Sequence, residues 1–87
     1  MDLNKQFEEA AAKSKEMTRR PTNEELLRLY ALYKQGSEGD VSGDRPGGFD
    51  FKAIAKFDSW EELKGMSQDK AKEEYIAFVN KLLQQYA

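Results

Sequence analysis

Pro21-Thr22-Asn23-Glu24-Glu25-Leu26-Leu27-Arg28-Leu29-Tyr30-Ala31-Leu32-Tyr33-Lys34-Gln35-Gly36 carries the clearest folding instruction in the chain. Thr22 can accept a hydrogen bond from the amide three residues on, and Glu25 can reach back to the Thr22 amide, so the stretch opens with a reciprocal helix cap. Leu26, Leu29, Tyr30 and Tyr33 then fall at i, i+3, i+4 and i+7, one apolar stripe on a helix, and Gly36 is placed to end it in a left-handed conformation. Downstream, Gly36 to Asp50 holds five of the six glycines together with Arg45-Pro46, which argues against helix and strand alike. A loop of that length in a small domain usually has a task. Asp50 can cap a third helix, Phe51 to Lys64, with Phe51, Ile54, Ala55 and Leu63 facing inward and Gly65 as its stop. Ser67 can cap a fourth, in which Ala71, Tyr75, Phe78, Val79, Leu82 and Tyr86 repeat at helical spacing over about four turns. Upstream, Leu3, Phe7, Ala10, Ala11 and Ser14 form the stripe of a first helix, with Met17 expected to close it. No sustained period-two alternation is present. The expectation is an all-α protein, a four-helix bundle, with residues 1–87 forming a single domain.

Composition narrows the function. A chain of 87 residues buries only about 60–65% of its unfolded surface, enough for one compact core of modest stability. There is no cysteine, hence no disulfide framework and no thiolate metal site. The start, Met1-Asp2-Leu3-Asn4-Lys5-Gln6-Phe7-Glu8-Glu9, has acids where a secretory signal needs a basic start and an apolar run. No apolar stretch approaches the ~20 residues of a membrane span. A cytoplasmic monomer without stable membrane insertion is expected. The formal net charge of -2, from 14 basic and 16 acidic side chains, argues against nucleic acid as a partner, because affinity for a general polyanion is built from many phosphate contacts. The densest basic segment, Lys13 to Arg20, reads first as a solvated surface.

With neither histidine nor cysteine, the chain has no Ser-His relay, no Cys-His pair and no usual zinc site. The expectation is no catalytic residue, no metal and no cofactor. The acidic pairs Glu8-Glu9, Glu24-Glu25, Glu61-Glu62 and Glu73-Glu74 are adjacent in expected helices, where neighbours diverge by about 100° and do not converge on a substrate. Asp58-Ser59 resembles the phosphopantetheine serine of acyl carrier proteins. In that family, however, the serine opens a helix and is followed by Leu or Met, whereas Ser59 sits inside the third helix before Trp60.

The aromatic and basic residues are more informative. Tyr30, Tyr33 and Lys34 occupy neighbouring positions on one helical surface. Lys52 and Lys56, four apart, repeat the arrangement on the third helix, and Tyr75 offers a phenol from the fourth. The plainer reading makes the tyrosines rim-of-core residues with wet hydroxyls and the lysines snorkelling side chains. The sharper one is a site where tyrosine faces stack on a planar base, lysines pair with phosphates and an interhelical groove takes a tail. Spacing alone leaves both open and favours the plainer. A peptide-binding helical adaptor using the Tyr30/Tyr33 surface is a further alternative.

A wider set of residues changes the balance. Tyr30-Ala31-Leu32-Tyr33-Lys34-Gln35, Gly39-Asp40, Arg45-Pro46-Gly47, Asp50-Phe51-Lys52, Ala55-Lys56 and Trp60-Glu61-Glu62-Leu63-Lys64-Gly65 together resemble the acyl-CoA-binding protein family. Phe7, Ala10-Ala11, Lys15 and Pro21 before them, and Tyr75-Ile76 after them, keep the same order, so the likeness spans essentially the whole chain. It implies a four-helix bundle that binds the coenzyme A ester of a medium- or long-chain fatty acid and carries out no reaction on it. It further implies a carrier and buffer of such esters, with fatty acyl-CoA as ligand and partner. By the same resemblance Tyr30, Tyr33, Lys34, Lys56 and Tyr75 fall on ligand contacts, with Lys15 and Lys52 in support. Lys34 and Lys56 would meet the ribose 3′-phosphate, tyrosines would flank the adenine, and Leu26 and Leu27 would lie close to the acyl chain. The chain departs from the family at Phe57-Asp58-Ser59-Trp60, where many members have Trp-Asp-x-Trp, and at Gly36-Ser37, where a bulkier pair is usual.

Overall fold

Each helix begins where a side chain can satisfy its free amides. The computed structural model describes residues 2–86, so Met1 and Ala87, the ends of the expected domain, lie outside the described residues. Among these residues there are four helices and no strand: α1 (Leu3–Ser14), α2 (Asn23–Glu38), α3 (Phe51–Glu61) and α4 (Gln68–Tyr86). Thr22 and Glu25 form the expected reciprocal cap, with Glu25 N donating to Thr22 Oγ1 at 3.1 Å and Thr22 N to Glu25 Oε1 at 2.9 Å. The Asp50 carboxylate accepts from Ala53 N and the Ser67 hydroxyl from Lys70 N, each at 3.1 Å. Asp2 does the same for α1, accepting from Asn4 N at 3.0 Å.

The helices do not share one centre. Helix α4 packs against α1 and α2, and α3 packs against α2, giving a flattened body of 38 × 29 × 15 Å. The core is correspondingly lopsided. Phe7, Ala10, Leu32, Tyr75 and Val79 form one buried cluster from α1, α2 and α4, with Leu29, Leu63 and Ile76 packed against it. Helix α4 buries Ala71, Tyr75, Val79 and Leu82, whereas α3 buries no residue fully.

What ties α3 to the body is polar. Gln35 is completely buried. Its Nε2 donates to Asp40 Oδ1 at 2.9 Å and to the Met66 carbonyl at 2.8 Å. Its Oε1 accepts from Trp60 Nε1 at 3.2 Å, and the same indole donates to the Gly39 carbonyl at 2.9 Å. Asp40 Oδ1 also accepts from Gly65 N at 2.8 Å. The ends of α2 and α3 and the turn before α4 are thus joined with no buried polar side-chain atom left unpaired among the described residues, which avoids the desolvation penalty of an orphaned group.

Several local expectations are corrected. Gly36 does not end α2, which runs to Glu38 and is stopped by Gly39 at φ +85°. Gly36 is needed for space, since a Cβ there would stand 3.1 Å from both Phe7 Cζ and Lys72 Cγ. The third helix ends at Glu61 rather than Lys64, with a turn to Gly65 at φ +95°. Phe51 points outward, 71% exposed, because α3 has only α2 to pack upon. Met17 lies beyond α1, partly buried and outside the main cluster.

Candidate functional site

Among the hollows at the surface, two lie one on either side of the α2 surface that carries Tyr30. The first, of ≈ 620 Å³ between α2 and α3, is lined by Arg20, Asn23, Leu26, Leu27, Tyr30, Phe51, Lys52, Ala55 and Lys56. The second, of ≈ 450 Å³ between α1 and α2, has Tyr75 of α4 among its lining residues, with Ala11, Ser14, Lys15, Leu26, Leu29, Tyr30 and Tyr33. Both volumes lie in the range of ordinary small-molecule sites, roughly 300–1,000 Å³. Leu26 and Tyr30 border both hollows, so the two adjoin across α2.

Tyr30 borders both hollows and has two cations near its ring. Lys56 Nζ of α3 stands 5.1 Å from its ring centroid and Lys34 Nζ 6.0 Å. Lys34 also stands 5.6 Å from the Trp60 ring, so the polar network that fixes Trp60 also sets the surface beneath that ammonium group. Cations over aromatic faces are held by the ring quadrupole. Lys34 additionally hydrogen-bonds Glu38 one turn on. That bond, chiefly, raises its pKa above the ordinary lysine value against the opposing effect of partial burial, and the side chain stays charged through neutrality and beyond. An incoming phosphate would share or replace Glu38 as its partner.

On the α1 side, Tyr33 stacks on Phe7 at 5.2 Å between centroids, and Tyr75 meets both edge-on, at 5.2 Å from Phe7 and 5.7 Å from Tyr33. Phe7 and Tyr75 are buried, while Tyr33 is 41% exposed and leaves ring surface open to solvent. Burial pushes the Tyr75 phenol up in pKa, partly offset by the Ser14 hydroxyl, so the phenol is neutral at physiological pH.

Of the nine residues singled out from sequence, Lys15, Leu26, Tyr30, Tyr33 and Tyr75 line the α1 side, and Leu26, Leu27, Tyr30, Lys52 and Lys56 the α3 side. Lys34 lines neither hollow and joins them through the Tyr30 ring. Arg20, Asn23 and Ser14 are lining residues that the sequence does not single out. Arg20 stands in the Lys13–Arg20 basic segment, and that local excess of positive charge is the one signal that points to it. Ser59 lies in the last turn of α3, on a separate hollow of ≈ 200 Å³ with Glu24, Arg28 and Glu62 among its lining residues. That is not the helix-opening position of a phosphopantetheine serine.

Fold and site define a small helical ligand-binding protein whose groove has an apolar arm, a cationic junction and an aromatic arm. The comparisons give that class its family. The model of the acyl CoA binding protein family matches residues 4–79. The chain is 48% identical over 80 residues to acyl-CoA-binding protein homolog 1 of Caenorhabditis elegans, covering 92% of this chain and 93% of that one. It is 47% identical over 81 residues to the acyl-CoA-binding protein of Saccharomyces cerevisiae, covering 93% of each. The crystal structure of Oryza sativa acyl-CoA-binding protein 2 superposes with a TM-score of 0.92 at 40% identity, covering 97% of this chain and 93% of that one. This chain belongs to the acyl-CoA-binding protein family.

Proposed function

We propose that this protein binds medium- and long-chain fatty acyl-CoA esters without reacting with them, and so carries and buffers them as a cytoplasmic monomer that needs no cofactor. One observation carries the reading: the Tyr30 ring has two cations within about 6 Å of its centre and borders two hollows, one of which is also lined by Leu26, Leu27 and Ala55. A ligand matched to it is anionic at its middle, planar at one end and apolar at the other. Lys34 and Lys56 take the ribose 3′-phosphate, Tyr30 and Tyr33 offer faces to the adenine, and Lys15, Lys52 and Tyr75 support the polar part. Leu26 and Leu27 lie along the acyl chain. Family membership and the likeness to proteins named for acyl-CoA binding support the same reading.

Magnitudes divide the labour. A C16 tail has about fifteen apolar carbons, and at ~0.8 kcal/mol per methylene its burial contributes up to roughly 12 kcal/mol before the costs of ordering. An exposed ion pair contributes about 0–1 kcal/mol. The tail therefore governs affinity, and the lysines govern recognition and orientation. Calorimetry with palmitoyl-CoA, free coenzyme A and free palmitate tests this. The ester is expected to bind far more tightly than either fragment. Equal affinity for palmitate and its ester would refute the reading.

A further inference from the structure

Residues 16–21 join α1 to α2 without helix or strand, and they deliver Arg20 to the lining of the α2–α3 hollow. From Met17 to Arg20, no amide donates to a backbone carbonyl among the described residues. A segment that pairs so few of its own backbone groups keeps its place through ties made by the rest of the molecule. Pro21 is buried, and the other ties converge on one residue at the far end of α4. Thr18 Oγ1 donates to the Tyr86 carbonyl at 2.8 Å. The Tyr86 hydroxyl in turn donates to Glu25 Oε1 at 2.6 Å, the same oxygen that accepts the Thr22 amide in the α2 cap. Tyr86 thus grips the chain on both sides of Arg20, with its carbonyl before it and its phenol after it.

The phenol tie is of the stronger kind. Its length falls in the range of a hydroxyl donating to an ionised carboxylate, roughly 2.5–2.7 Å. The bond holds the Glu25 carboxyl below its ordinary pKa and the Tyr86 phenol above its own, so donor and acceptor keep their protonation states around neutrality. Arg20 itself is a cation in reserve. Its Nη1 donates to Asn23 Oδ1 at 3.2 Å, and no carboxylate pairs with it, the ion pairs among the described residues being those of Arg28, Lys34 and Arg45. A long side chain fixed before a ligand arrives loses less freedom on binding than one that must be ordered then.

We infer that Tyr86 is a positioning residue for the ligand site: by gripping Thr18 and Glu25 it holds residues 16–21 so that Arg20 stands preset at the α2–α3 hollow to meet an anionic part of the ligand. The role rests on the acyl-CoA reading, whose ligand carries several phosphate charges.

Calorimetry of palmitoyl-CoA on the parent, Tyr86→Phe, Arg20→Met and the two changes combined separates positioning from plain stability. Tyr86→Phe keeps the ring and removes the donor. It should weaken the ester about two- to fivefold, the order of one exposed charge contact, and flatten the dependence of affinity on salt. In the Arg20→Met background the same change should cost nothing further, since no charge is left to position. Thr18→Val, which cuts the other tie and leaves the α2 cap intact, should behave in the same way. In the ligand-free protein, amide relaxation should show residues 16–20 more mobile in Tyr86→Phe, with α1 and α3 unchanged. An equal loss with and without Arg20, or parent affinity in both Tyr86→Phe and Thr18→Val, overturns the positioning. If the parent binds no ester, the acyl-CoA reading falls and relaxation alone decides: loosening confined to residues 16–20 supports the grip of Tyr86, and unchanged relaxation overturns it.

Discussion

Helices α4 and α3 are held in contrasting ways. Helix α4 runs for 19 residues with four of them buried, packed on both α1 and α2. Helix α3 has 11 residues, none fully buried, and leans on α2 alone. Its place is kept at one end by the Gln35–Trp60–Asp40 network, and along the rest of its α2 side it borders a hollow. Stability is thus concentrated on the α1–α2–α4 side and open apolar surface on the α2–α3 side. Apolar walls held apart forgo burial, and the core elsewhere compensates for it.

The contrast can be broken from its strong side first. Leu82 is fully buried, so Leu82→Ala should cost about 2–5 kcal/mol in denaturant unfolding. Ile54→Ala on half-buried α3 should cost clearly less. Comparable losses would mean that α3 shares the core. The next largest effect falls on the polar tie. Gln35→Ala strands the Met66 acceptor, takes one donor from Asp40 and one acceptor from Trp60, and should cost about 1–3 kcal/mol. It should also free α3, visible as faster amide exchange in residues 51–61 than in α4. Equal exchange in both helices would show that the network does not anchor α3.

Acid provides a smaller, graded effect. Hydrogen bonds from Gly65 N and Gln35 lower the Asp40 pKa from its ordinary value, and Arg45 lowers that of Asp58. Hydrogen bonds from Tyr86 and the Thr22 amide do the same for Glu25. A carboxylate depressed in the folded state contributes stability above its unfolded pKa and loses it as pH falls through the folded value. Stability should therefore be flat near neutrality and decline below about pH 4. Asp40→Asn should shallow that decline; an unchanged acid limb would show that Asp40 has no part in it.

The features legible in the sequence are those that depend on near neighbours. The Thr22/Glu25 cap, the Asp50 and Ser67 caps and the stripe of α4 are decided within a few residues of chain. Gly36 misleads for the opposite reason. A glycine after an amphipathic stretch looks like a stop, yet its requirement comes from Phe7, far back in the chain, and Lys72, far ahead. Phe51 looks like core because apolar residues at a helix start usually are, and nothing local says that α3 has a single neighbour. Burial of Gln35 is hidden likewise, since its partners come from three separate segments. Within the candidate site, the shared surface of Tyr30, Tyr33 and Lys34 follows from spacing on one helix, though spacing alone favours rim-of-core residues there. Lys15, Lys52, Lys56 and Tyr75 lie outside that helix, and the register of the family resemblance, rather than any periodicity, joins them to the cluster.

The central claim is that one groove divides its ligand at Tyr30, phosphate to the lysines and tail to the α2–α3 side. Calorimetry of palmitoyl-CoA against its 3′-dephospho analogue, on the parent and on a Lys34→Ala/Lys56→Ala protein, tests it most directly. Removing the phosphate should weaken binding to the parent by several-fold to about tenfold, as for two ion pairs of up to ~1 kcal/mol each. It should scarcely affect the double variant, which retains tail-driven affinity. An equal penalty in both proteins would contradict the assignment and place the phosphate elsewhere.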